Sequence, residues 1–144
     1  MKKKHILYIE DNKFQAKLFE GLFKKLSEEL NCEFINSASG KEGLELIRNN
    51  KAISGLKRNN IDVIILDLSL PDISGMDLLR EMGKLPEEDK IPVIVMSAHE
   101  ETDLITQSMK LGAIDYFIKG RGSDEMDRFV KILGKSLGFE IKLS

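Results

Sequence analysis

Five short apolar runs set the strongest limit on what this chain can fold into: Ile6-Leu7-Tyr8-Ile9, Phe34-Ile35, Val63-Ile64-Ile65-Leu66, Val93-Ile94-Val95-Met96 and Tyr116-Phe117-Ile118. Four are rich in residues that favour strands, and most are continuous where a half-exposed strand would alternate apolar with polar residues. Continuous runs of this length belong to strands covered on both faces, as in a parallel sheet.

The segments between them have helical spacing. Phe14, Leu18, Leu22 and Leu26 recur every fourth residue, and Met126, Phe129, Val130, Leu133 and Leu137 form a second stripe. Ile105 and Met109, with Leu104 beside them, give a shorter one closed by Gly112, a suitable left-handed cap. Leu44 and Leu78-Leu79-Met82 mark the remaining two helices. Strand and helix together repeat at roughly 25 to 30 residues, the length of a βα unit with its crossover helix. The expected fold is therefore α/β, a (βα)5 doubly wound parallel sheet with helices on both faces, whose ligands bind beyond the carboxyl ends of the strands. Asn49 to Asn60 is the loosest stretch, where the second helix either runs on or gives way to a longer loop.

A chain of 144 residues fits one domain. A formal net charge of −2 offers no electrostatic case for nucleic acid. The apolar runs are far too short to span a membrane, and the basic run Lys2-Lys3-Lys4 reads as a solvated strand entrance. Cys32 is the one cysteine, which excludes an intrachain disulfide and a thiolate metal cluster; it reads as a small buried apolar residue in a reducing, cytoplasmic setting.

Once the strands are placed, the polar residues that follow them collect at one edge of the sheet: Glu10 and Asp11 after the first, Asp67 after the third, Ser97 after the fourth and Lys119 after the fifth. Singly, each has an ordinary structural reading as a turn residue, helix cap or surface amine. Jointly, three carboxylates in one crevice repel one another and call for a cation or raised pKa values. Oxygen donors without His or Cys suit Mg²⁺, which in turn favours a phosphate-bearing substrate. Asp67 is then a candidate nucleophile for phosphoryl transfer, with Lys119 and the metal offsetting phosphoryl charge and Ser97 donating a hydrogen bond.

These residues occur in order within Ile6-Leu7-Tyr8-Ile9-Glu10-Asp11, the segment Ile65-Leu66-Asp67-Leu68-Ser69-Leu70-Pro71-Asp72-Ile73-Ser74-Gly75, Met96-Ser97-Ala98 and Gly112-Ala113-Ile114-Asp115-Tyr116-Phe117-Ile118-Lys119. The ordered set resembles the receiver domain of two-component response regulators over nearly the whole chain. The resemblance implies a CheY-like, flavodoxin-like sheet of strand order 2-1-3-4-5, with residues 1–144 forming a single receiver and no output domain. It implies that Asp67 accepts a phosphoryl group from the phosphohistidine of a sensor histidine kinase or histidine phosphotransfer protein. Mg²⁺ would be held by Glu10, Asp11, Asp67 and the backbone carbonyl of Ser69, with Ser97 and Lys119 contacting the phosphoryl group. Ser97 and Tyr116 match the family's switch pair, although Tyr116 reads equally well as a core aromatic. A downstream protein would then bind the face made by the fourth helix, fifth strand and fifth helix, and a homodimer is compatible with the same pattern.

The sequence departs from the family after Lys119, where proline with a cis bond is usual and Gly120-Arg121-Gly122 stands instead. A non-proline cis bond costs roughly 2.5 to 4 kcal/mol, so a trans bond and a looser loop are expected. Ser69 and His99 occupy the two positions that often tune acyl-phosphate lifetime, although an exposed loop histidine usually has no special role. His5 has no partner at metal-ligand spacing, and Asp72 and Asp77 read as caps. An aspartate-nucleophile phosphatase would want an acid at Ser69. A flavodoxin-like carrier would want a phosphate loop where Glu10-Asp11-Asn12-Lys13 stands. An interaction module that is never phosphorylated is opposed by the intact acidic set.

Overall fold

A computed structural model describes residues 3–50 and 61–139. The expected alternation is present: β1 (Lys4–Ile9), α1 (Lys13–Leu30), β2 (Cys32–Ser37), α2 (Gly40–Arg48), β3 (Val63–Leu66), α3 (Gly75–Gly83), β4 (Val93–Ser97), α4 (Thr102–Lys110), β5 (Asp115–Ile118) and α5 (Ser123–Ser136), with a 3-10 turn at Glu87–Asp89. The strands form one parallel sheet in the order β2-β1-β3-β4-β5. Most of the loose stretch from Asn49 to Asn60, the Leu26 side chain, Lys2 and the terminal segment 140–144 lie outside the described residues.

Alternate residues of each strand serve opposite faces, so the sheet divides the core in two. Leu7, Ile9, Ile64, Leu66, Val93 and Val95 face α2, α3 and α4, against Ile47, Leu78, Leu79 and Met82. Ile6, Tyr8, Val63, Ile65, Ile94, Met96 and Phe117 face α1 and α5, against Phe19, Phe23, Phe129, Val130 and Leu133. This second layer is aromatic: Tyr8 meets Phe19 edge-on with centroids 5.0 Å apart, Phe23 stacks on Phe34 at 4.8 Å, and Phe117 meets Phe129 at 5.3 Å. Each such ring contributes about 1.5–3 kcal/mol through burial.

Two stripes are corrected by the packing. In α1 the every-fourth-residue row is not the core face: Phe14 is 69% and Leu18 56% exposed, while Ala16, Phe19 and Phe23 are buried. The helix is turned so that its rings stack into the aromatic layer, and that contact outweighs the longer aliphatic row. In α4 the buried residue is Ser108, and Met109 is turned outward. The Ser108 hydroxyl donates to the Leu104 carbonyl at 2.7 Å and lies 3.5 Å from Met76 Sδ, so a small polar residue can sit where the helix packs closely. The α5 stripe is as expected, with Phe129, Val130, Leu133 and Leu137 all buried, and Gly112 adopts positive φ after α4. Cys32 is buried at the start of β2.

Asp72 is a cap, but of a helix distant in sequence. Its two carboxylate oxygens accept the Gly40 and Lys41 backbone N–H groups, both at 2.9 Å, and so close the N-terminus of α2 from the β3–α3 loop. Gly40 is needed because a Cβ there would overlap the Ile73 side chain. The backbone hydrogen bond from Lys41, joined by that from Gly40, lowers the Asp72 pKa. A carboxyl whose folded pKa is depressed adds stability above its unfolded value of about 3.9, and that contribution fades as pH falls through the folded value. Asp72→Ala is expected to lower the melting temperature at neutral pH, and the gap to wild type is expected to close below about pH 4, as read by thermal unfolding across a pH series.

Candidate functional site

The sheet ladder continues one residue past the strand ends and thereby fixes the backbones that carry the polar groups. Glu10 N–H donates to the Ser37 carbonyl at 2.9 Å, Asp67 N–H to that of Ile9 at 3.1 Å, and Lys119 N–H to that of Ser97 at 2.8 Å. Glu10, Asp67 and Ser97 are buried, with exposures of 2%, 5% and 0%, whereas Asp11 is exposed. One oxygen each from Glu10, Asp11 and Asp67 lies within 4.8 Å of the others.

Lys119 joins them. Its ammonium donates to Glu10 Oε2 at 2.8 Å and to Asp67 Oδ2 at 3.0 Å. Burial pushes the Glu10 carboxyl above its ordinary range and the Asp67 charge adds to this, while Lys119 pulls the other way. Burial also opposes the Lys119 ammonium, but Glu10 and Asp67 outweigh it and raise its pKa. Three carboxylates to one ammonium leave negative charge in excess, and the donors are hard oxygens. These residues fit a divalent cation of the Mg²⁺ type.

Asp67 is held from several sides. Its Oδ1 accepts the Ser69 N–H at 3.2 Å. Gly75 opens α3 directly beneath it, where a Cβ would stand 2.8 Å from the Asp67 carbonyl oxygen and 2.5 Å from Leu68 Cα, so only glycine lets the strand end and the helix approach this closely. Ser97 ends β4 and its hydroxyl accepts the His99 N–H at 3.2 Å. The Tyr116 hydroxyl donates to the His99 carbonyl at 2.8 Å, and the His99 ring shares a 2.8 Å hydrogen bond with the Ser69 hydroxyl. His99 thus links the loops after β3 and β4 and the switch candidate on β5.

Residues 6–131 match the family model for the response regulator receiver domain. The chain belongs to this family. Sporulation initiation phosphotransferase F of Bacillus subtilis is 33% identical over 103 residues, covering 67% of this chain and 79% of that protein. The two-component response regulator ARR7 of Arabidopsis thaliana is 26% identical over 141 residues, covering 96% of this chain; the chain spans 66% of that regulator's length. Among solved structures, the phosphorylated cyanobacterial phytochrome response regulator RcpA superposes with a TM-score of 0.73 at 27% identity, covering 93% of each chain.

Within this receiver domain, the residues singled out from sequence fall at one sheet edge: Glu10, Asp11, Asp67 and Lys119 meet, while Ser69, Ser97 and Tyr116 converge on His99. All described peptide bonds are trans, Gly120 has φ +79° and Gly122 +93°, and Lys119 is aimed by its ionic partners. His5 pairs at 3.5 Å with Glu33, away from the site. Tyr8 reads in the sequence only as a residue of the first strand. Its hydroxyl donates to Glu10 Oε2 at 3.3 Å, a contact foreshadowed only by its place two residues before Glu10 on the same strand face.

A carboxyl whose folded pKa is raised lowers stability once pH passes its unfolded value of about 4.3. Glu10→Gln is therefore expected to melt higher than wild type at neutral pH without divalent cation. The difference is expected to shrink below about pH 4, as read by calorimetric melting.

Proposed function

We propose that this receiver domain takes a phosphoryl group from a phosphohistidine of a sensor histidine kinase or histidine phosphotransfer protein onto Asp67 and signals through the surface change that follows. The observation that carries this reading is the setting of Asp67: a buried carboxylate ending a central strand, 3.0 Å from the Lys119 ammonium and grouped with Glu10 and Asp11. In the transfer an Asp67 oxygen forms the bond to phosphorus as the bond from phosphorus to the donor's imidazole nitrogen breaks, and the imidazole keeps the electron pair. Lys119 offsets charge on the phosphoryl oxygens, and Ser97 donates its hydroxyl to one of them.

Glu10, Asp11, Asp67 and the Ser69 backbone carbonyl would hold Mg²⁺. When bound, the cation neutralises charge building on the transferred group. The acyl phosphate adds negative charge and strong acceptors beside Ser97. Ser97, drawn toward it, leaves the His99 N–H, and Tyr116 is coupled to the same residue through the His99 carbonyl. That coupling supports a two-state switch reaching the α4, β5 and α5 face, where a downstream protein would bind. The single five-stranded sheet supports reading the chain as one receiver unit.

Incubation with Mg²⁺ and a small phosphodonor is expected to add one phosphoryl group to the intact mass of wild type and none to Asp67→Asn. Labelling that persists in Asp67→Asn would overturn the assignment, and labelling of neither would favour an interaction module that is not phosphorylated. His99→Ala frees the hydroxyl of Ser69, whose N–H bonds Asp67, and is expected to change the rate of acyl-phosphate loss about two- to tenfold, followed as decay of the labelled mass; an unchanged rate removes His99 from the site's chemistry.

A further inference from the structure

Tyr8 is the one ring of the α1 and α5 layer with a polar tip: its packing partners Phe19 and Phe34, and Phe23, Phe117 and Phe129 beyond them, are all phenylalanines. It is fully buried, so its hydroxyl meets no water, and an unpaired phenol there would be costly. The hydroxyl donates to Glu10 Oε2. That carboxylate is otherwise held by the Asn12 N–H on Oε1 at 3.2 Å and by Lys119 on Oε2.

We infer that Tyr8 is a positioning residue for Glu10, keeping its carboxylate turned toward the cation site both while Lys119 bonds it and when Lys119 swings to a phosphoryl group. This rests on the function proposed above and adds to it a residue in the hydrophobic core. Lys119 bonds both Glu10 and Asp67, so an ammonium that follows a phosphoryl group on Asp67 withdraws its bond from Glu10. Tyr8 cannot follow. Its ring is clamped edge-on against Phe19 at 5.0 Å and tilted on Phe34 at 5.7 Å, and strand pairing on both sides fixes its backbone. Of the two donors on Oε2, Tyr8 is therefore the one that stays, while the Asn12 N–H keeps Oε1. A carboxylate already oriented pays less entropy when it enters a cation's coordination sphere.

Tyr8→Phe removes one oxygen and leaves the ring packing in place. Titration calorimetry with Mg²⁺ is expected to show about a five- to tenfold weaker affinity than wild type, with the fold intact by circular dichroism. In phosphorylation by a small donor, the Mg²⁺ concentration for half-maximal rate is expected to rise by the same factor, while the rate at saturating Mg²⁺ stays within about twofold of wild type. Equal Mg²⁺ affinity in the two proteins overturns the positioning role and leaves the phosphoacceptor reading standing. Wild type that binds no Mg²⁺ overturns both.

Discussion

The contact on which the site depends is that of the Lys119 ammonium with Glu10 and Asp67. Two buried carboxylates at the end of a sheet face a heavy desolvation cost, and a single buried cation offsets part of it. The arrangement holds because the ladder reaches one residue past the strands and fixes all three backbones before any side chain is placed. The charge balance nevertheless remains negative, three carboxylates to one ammonium, and burial, with the Asp67 charge adding to it, keeps the Glu10 pKa raised. Stability is given up at this edge and made good by the layers on either side of the sheet, a common division between a strained site and its scaffold.

Those layers differ in kind. The face toward α2, α3 and α4 is aliphatic apart from Tyr116, and on it the β3–α3 loop closes down so tightly that Gly40 and Gly75 have no room for a side chain. The face toward α1 and α5 is aromatic and takes its order from ring geometry. Asp67 leaves the sheet directly above the tight β3–α3 packing, while Tyr8 carries the aromatic layer up to Glu10.

The architecture was legible because continuous apolar runs admit few alternatives to a parallel sheet, and strand ends in such a sheet must share an edge. Glu10, Asp11, Asp67 and Lys119 could be placed together on that ground alone. What sequence could not show was rotation about an axis. The row from Phe14 to Leu18 has the spacing of a core face, yet ring stacking by Phe19 and Phe23 turns α1 the other way. Long-range caps were hidden for a related reason: Asp72 has the look of a local turn residue, and its partner amides lie 31 and 32 residues upstream. The Ser69 and His99 hydrogen bond and the Tyr8 to Glu10 contact likewise depend on side-chain reach, which strand order does not reveal.

The chain has no tryptophan and two tyrosines, and those are Tyr8 and Tyr116. One phenol ends on Glu10 and the other on the His99 carbonyl. The tyrosine absorption and emission of the unlabelled protein therefore originate within hydrogen-bonding distance of this one sheet edge. The molecule is its own optical probe, with one chromophore beside the acidic cluster and the other on the loop that follows Ser97.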